Sequence, residues 1–457
     1  MEYPDFIKNK SQADNEYGFE PIDMPDFLFP FQRFLVEWAL RKGRGAIFAD
    51  CGLGKTPMEL VVANNIYLHT GKPTLILTPL AVSLQFIDEA AKFNIDAARS
   101  QDGSTPAPIV ITNYERLHYF NPDNFGGVIC DESSILKSFD GVYKKSITDF
   151  MRKIKYRMLG TATAAPNDYT ELGTSSEALG YLGYMDMLGR FFTNRQRTSH
   201  QFHGKYQLKN NKGWRFKGHA EDKFWRWVAS WAKACRKPSD LGFDDNGFIL
   251  PPLEVAYHTI KTGKPIPGML LELPAVNWQE IRAERRRTIN ERCEYAASLI
   301  NDTGKAAVCW ANLNDEADLL TKLISDAQQV SGRDSDDQKE EKFKAFANGD
   351  LRVLVTKPKI GAWGLNWQHC DRVTYFPTDS YEQWYQAVRR VYRFGQKNNV
   401  TVDVVTTPGQ KKVTDNMRRK EEAAGKMFDS LVAHMNSAEE INRLFSYNKK
   451  VEVPKWL

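Results

Sequence analysis

Short, uninterrupted apolar runs alternate with longer amphipathic stretches along most of this chain. "GAIFA" (45–49), "TLILTP" (74–79), "PIVITN" (108–113), "GVICD" (127–131) and "RMLGTA" (157–162) read as strands buried on both faces. Helix-like segments fall between several of them. "TPMELVVANNIYLHTG", for example, opens with Pro57 and closes on Gly71, residues suited to starting and stopping a helix. Such alternation predicts a parallel sheet covered by helices. The pattern stops near residue 175 and resumes with "AAVCWA" (306–311), "LRVLVT" (351–356), "RVTYFP" (372–377) and "VTVDVVTT" (400–407). The prediction is an α/β protein with two parallel-sheet lobes, 21–175 and 251–408. A helical insertion occupies 176–250, a tail 1–20, and a charged helical segment 409–457.

Charge changes how the insertion reads. The net charge is only +5, yet residues 191–240 hold twelve Lys/Arg against Glu221, Asp222 and Asp240, leaving the rest of the chain net acidic. Ten aromatics share that window, among them Trp214, Trp225, Trp227 and Trp231. Clustered basic and aromatic side chains suit a polyanion, most often nucleic acid, with Lys205, Lys209, Arg215 and Lys217 as candidate phosphate contacts. A solvated basic face over tryptophans packed as core is the other reading. The six scattered cysteines, with no C-x-x-C pair, point to reduced thiols in a cytoplasmic compartment, and the N-terminus lacks the apolar core of a signal peptide. No run is long and apolar enough to predict a membrane span.

The candidate chemistry begins at "ADCGLGKT" (49–56), a strand, Gly-rich turn and helix start in which Ala49 stands where the phosphate-loop pattern has its first Gly. Gly52 and Gly54 allow close backbone approach around Leu53, Lys55 supplies charge to ATP phosphates, and the Thr56 hydroxyl suits Mg²⁺. For the loop alone, a plain tight turn is the alternative. "GVICDESS" (127–134) decides between them, because an apolar strand ending in Asp-Glu is where a P-loop ATPase places a metal-holding acid and a water-activating acid. Asp131 and Glu132 take those roles. In "YEQWYQAVRRVYRFGQ" (381–396), Arg390 and Arg393 are spaced to share a helix face and to stabilise charge on a transferring phosphoryl group.

Together these segments resemble the Swi/Snf-type ATPases of helicase superfamily two, in a compact form like those of bacteriophages. The resemblance runs from about residue 27 to 430. "FPFQ" (29–32) matches the adenine-reading segment, with Gln32 the implied base contact. "TPLAVSLQF" (78–86) and "ITNYERL" (111–117) match segments that touch the nucleic-acid backbone, which implies roles for Pro79, Thr112 and Asn113. "TATAAPNDYTEL" (161–172), "GAWGLNW" (361–367) and "QAVRRVYRFGQ" match elements that couple hydrolysis to movement, implicating Thr161, Thr163, Asn167, Gly364, Asn366 and Gln386. "ILPPLE" (249–254) resembles the entry to the second lobe. Departures from the family pattern are Ala162 and Ala164 for Gly and Pro, Arg389 for an acid, Ser133–Ser134 for Ala-His, and a missing Ser-Thr before "GAWGLNW". They bear on coupling and strand preference and leave the hydrolytic groups in place.

The resemblance implies two RecA-like lobes with ATP and Mg²⁺ between them, Lys55, Glu132, Arg390 and Arg393 as catalytic groups, and a monomer translocating along duplex DNA. Any recruiting protein is unidentified. A strand-separating helicase is the alternative; an RNA-directed enzyme and a non-hydrolysing clamp are more distant ones.

Overall fold

The computed structural model describes residues 17–137, 141–165, 168–194, 214–261, 277–361 and 366–447. It divides into two compact units, residues 1–244 with 424–457, and residues 245–423.

In the first unit the apolar runs become β1 (Arg44–Ala49), β2 (Thr74–Thr78), β3 (Ala97–Arg99), β4 (Ile109–Asn113), β5 (Gly127–Asp131) and β6 (Tyr156–Gly160). Two short strands, β7 (Phe192–Asn194) and β8 (Trp214–Phe216), pair antiparallel as a separate ribbon. β9 (Ala232–Cys235) completes a seven-stranded parallel sheet in the order β3-β4-β2-β5-β6-β1-β9. β2, β4, β5 and β6 are buried at every position, as continuous apolar strands must be when helices cover both faces. The first crossover is the helix Lys55–Thr70, which leaves β1 through the Gly-rich turn and ends on Gly71 in the left-handed region, φ 65°. Asn65 of this helix is fully buried and accepts the Ile22 and Asp23 N–H groups at 2.8 and 2.9 Å, pinning the entering chain.

β9 corrects the expected domain boundaries. Residues 176–250 are not a separate insertion: the first unit continues to Asp244, and Ala46 to Ala49 pair with Ala232 to Cys235. "AKAC" is too short, and too interrupted by Lys233, to read as a strand. Yet Lys233 is buried, its ammonium 5.9 Å from the rings of both Phe34 and Trp38. Trp225 and Trp231 are core residues, Trp231 edge-on to Phe48 at 6.2 Å, so these two tryptophans of the basic segment are packing. Nor is 409–457 a unit of its own: the helix Lys411–Tyr447 belongs up to Ala423 with the second unit and beyond it with the first.

The second unit holds β10 (Leu253–Thr259), β11 (Ala307–Trp310), β12 (Ala327–Gln329), β13 (Val353–Thr356), β14 (Arg372–Tyr375) and β15 (Val400–Thr406). They form a parallel sheet in the order β10-β15-β14-β11-β13-β12. Its core gathers Ala307, Cys309, Val353, Val355 and Val405 under Ala296 and Ile300. Beside it lies a fully buried ion pair, Arg292 to Glu316 at 2.7 Å. Both units are therefore parallel α/β sheets, as expected from the alternation of apolar runs.

Candidate nucleotide site

The loop after β1 turns through two glycines whose φ angles, 89° at Gly52 and 75° at Gly54, most side chains would resist. At Gly54 space is excluded as well, since a Cβ would lie 2.2 Å from Gln32 Nε2. Gln32 is buried; its Nε2 donates to the Leu53 carbonyl at 2.9 Å and its Oε1 accepts the Phe29 N–H at 3.0 Å. The resemblance-based assignment of Gln32 thus falls on a residue that clamps the loop from behind. Ala49 is the last residue of β1 and fully buried, a strand position where a Cβ fits the sheet.

Lys55 and Thr56 open the helix, with Lys55 Nζ donating to the carbonyls of Ala49 at 3.0 Å and Asp50 at 3.4 Å. Burial opposes the lysine charge, but Cys51, Glu132, Asp131 and Asp50 outweigh it and raise its pKa. At the end of β5, Asp131 Oδ2 accepts a hydrogen bond from Thr78 Oγ1 at 3.2 Å. Burial first, then the Glu132 charge, push the Asp131 carboxyl up to about 7, against the pull of Lys55. Tyr114 donates its hydroxyl to the Asp131 carbonyl, bracing the strand end from the "ITNYERL" segment.

Glu132 stands at φ 50°, a left-handed conformation rare for a residue with a long side chain. Its Oε2 accepts the Thr161 hydroxyl at 3.2 Å, and the same Thr161 oxygen accepts the Thr163 N–H at 3.1 Å. The segment expected to couple hydrolysis to movement therefore touches the expected catalytic acid directly.

Two further residues enter this site that sequence reasoning passed over. Glu59, one helical turn beyond Lys55, is fully buried, and burial and then the Asp131 charge hold its carboxyl well above the ordinary range. Gly160 lies against it: a Cβ there would be 1.9 Å from Glu59 Oε1. The available signal was a charge inside the otherwise apolar run "PMELVV".

Among the described residues no group of three His, Cys, Asp or Glu could hold a metal ion. The donor set of Thr56 and Asp131 fits Mg²⁺ all the same, because that ion usually takes one or two protein carboxylates and completes its shell with phosphate and water.

The remaining candidates divide. Pro79 is half-buried at the start of the turn Leu80–Val82, whose Leu80 is exposed. Thr112 and Asn113 are buried in β4, so their side chains do not face solvent; a strand covered on both faces has no wet side. Arg215 and Lys217 are exposed at the β7–β8 ribbon, with Lys217 Nζ donating to the Gly189 carbonyl. Lys205, Lys209, Asn167 and Gly364 lie outside the described residues.

In the second unit the helix Tyr381–Arg389 ends before either arginine, so Arg390 and Arg393 do not share a helix face as their spacing suggested. Arg390 is the C-cap, buried, and donates from Nη2 to Gln386 Oε1 at 2.8 Å. Arg393 donates to Asn366 Oδ1 from the turn that follows. Each arginine is thus oriented by one of the predicted coupling residues. Gln396 is a structural clasp, donating to the Cys370 carbonyl at 2.9 Å while accepting the Lys397 and Asn398 N–H groups.

Residues 291–395, which contain this arginine turn, match the helicase conserved C-terminal domain. That match places a helicase C-terminal domain within the second unit. Among its relatives, putative protein p41 of Acyrthosiphon pisum secondary endosymbiont phage 1 is 30% identical over 169 residues, 31% of this chain and 37% of that one. The DNA annealing helicase and endonuclease ZRANB3 of Mus musculus is 28% identical over 189 residues, 37% of this chain and 17% of the mouse protein. These matches span well under half the length of either relative. The chain also aligns over 90% of its length, at 15% identity and a TM-score of 0.42, with 98% of a Sulfolobus solfataricus SWI2/SNF2 ATPase core solved in complex with dsDNA. Among the described residues no helix is long and apolar enough to cross a membrane.

Proposed function

We propose that this protein is a Swi/Snf-type member of helicase superfamily two, an ATP-dependent DNA motor that hydrolyses ATP at the loop of the first unit and translocates along duplex DNA. The observation that carries the reading is the constrained Glu132: a carboxylate in a costly backbone conformation, beside a phosphate-type loop, hydrogen-bonded to Thr161. A general base must be aimed, and a clamp that only holds nucleotide has no use for one. The loop amides and Lys55 bind the phosphates, and Glu132 orients the attacking water and takes its proton. Arg390 and Arg393 are the proposed cations for the charge that develops on the γ-phosphoryl group. Mg²⁺, held by Thr56 and Asp131, would neutralise charge on the β- and γ-phosphates. Thr161 and Thr163 would pass the state of Glu132 to the rest of the lobe.

A strand-separating helicase is the second reading, favoured by the antiparallel β7–β8 ribbon with its exposed Arg215. Steady-state ATP hydrolysis without nucleic acid, and with blunt duplex, single-stranded DNA or RNA, separates these readings. Lys55→Ala serves as the blank, and Glu132→Gln should lower turnover about 10²-fold or more while keeping the wild-type melting curve. Stimulation by duplex supports translocation, and preference for single strands supports strand separation. Normal turnover by Glu132→Gln removes the assignment of the base.

A further inference from the structure

Glu59 is fully buried, and among the described residues neither of its carboxylate oxygens has a hydrogen-bond partner. Buried carboxylates are almost always satisfied, so one left without a partner points to a group that satisfies it in the working protein. Its position indicates which group. Glu59 follows Thr56 by three residues and Lys55 by four on one helix, so it lies on the face those two residues open toward the phosphate loop. Across from it, Gly160 is the register partner of Asp131 in the neighbouring strand β5. Paired residues of parallel strands send their side chains to the same face, and adjacent strands lie only ~4.8 Å apart. The Glu59 carboxyl, seated on Gly160, therefore sits beside the Asp131 carboxyl and below Thr56.

Mg²⁺ sheds water reluctantly and keeps several waters when only one or two protein groups ligate it. Those waters are strong donors and need acceptors behind the direct ligands. We propose that Glu59 is such an acceptor, a positioning residue that receives hydrogen bonds from water on the Mg²⁺ held by Thr56 and Asp131 and so sets the metal affinity of the site. Gly160 is the complementary feature, because any side chain there would occupy the carboxyl's seat. This inference rests on the proposed nucleotide site and adds to it a residue that touches neither ATP nor the metal.

The test is binding of a fluorescent ADP analogue to the full chain, followed across a Mg²⁺ titration and again in EDTA. Wild-type protein must first bind more tightly with Mg²⁺; if it does not, the site reading itself fails and this inference with it. Given that dependence, Glu59→Leu and Gly160→Ala should each raise the half-saturating Mg²⁺ concentration about 10- to 100-fold. Metal-free nucleotide binding should stay unchanged. Glu59→Gln, which keeps a neutral acceptor of the same shape, should fall between wild type and Glu59→Leu; it also serves as the folded control if the leucine variant is unstable. An unshifted Mg²⁺ midpoint in Glu59→Gln and Gly160→Ala overturns the proposal. So does an equal loss of binding in EDTA, which would make Glu59 a scaffold of the loop.

Discussion

Asp131 carries the sharpest conflict at the scale of single residues. Its carboxyl is buried at the end of β5 and pushed up to about 7, chiefly by burial and then by Glu132, although its proposed role requires the charged form. The sign of the consequence is fixed by linkage. A carboxyl whose folded pKa lies above its unfolded value contributes stability that is complete below the unfolded value and lost as pH rises through the folded one. Nucleotide-free protein should therefore lose stability between about pH 4 and 7 through this group. Asp131→Asn should remove that part of the slope, leaving the variant relatively more stable at about pH 8 than at about pH 5. Urea denaturation of both proteins at the two pH values checks this, and parallel pH dependences would refute it. Bound Mg²⁺ would offset the penalty, which is one physical reason for an active-site acid to sit where the empty fold disfavours its charge.

At the scale of elements, part of the basic segment serves to complete the first sheet. α-Helical residues Ala220–Ala229 bury Phe224, Trp225 and Val228, and the chain then enters β9, hydrogen-bonded to β1 beside the phosphate loop. Asp50 N–H donates to the Cys235 carbonyl at 2.9 Å, so β9 supports the first residue beyond β1. Trp231→Ala should cost ~3–5 kcal/mol, the usual range for emptying a packed aromatic site. Because the side chain belongs to the first unit, the loss should appear in the unfolding of that unit, read by denaturation with nucleotide binding as a second probe. A change below about 1 kcal/mol would mean that the tryptophan is not core.

For the whole molecule, two units are the frame, each with its own sheet and core. Calorimetry should resolve their unfolding if they melt separately. Within the first unit, Leu431 and Met435 of the last helix are buried, Met435 Sδ accepts the Ala234 N–H at 3.0 Å, and Asp429 pairs with Arg236. Leu431→Asp should lower the first unit's transition and leave the second's in place. Equal shifts in both would contradict that assignment. The proposed DNA binding belongs to this scale too, since it would sum the neutralisation of many phosphates. Replacing exposed Arg215 and Lys217 by Gln should reduce the slope of log affinity against log salt by about 0.9 for each phosphate left without its cation. An unchanged slope would remove both from the nucleic-acid surface.

Local chemistry determined much of this in advance. Continuous apolar runs alternating with helix-like segments predict parallel strands covered on both faces, and a Gly-rich stretch between strand and helix predicts a tight loop. β1, β2, β4, β5 and β6, the Lys55 loop and the Asp131–Glu132 pair were legible for that reason. Burial and partnership were not, because they depend on residues far away in sequence. Lys233 reads as a surface charge until Phe34 and Trp38 enclose it, and "AKAC" becomes a strand only when β1 offers it a ladder. Arg390 and Arg393 have helical spacing, but the helix stops at Arg389, and Gln386 and Asn366 orient them instead. Glu59 is the extreme case: one acid in an apolar helix, given its meaning by the absence of a side chain at Gly160, 101 positions farther along the chain.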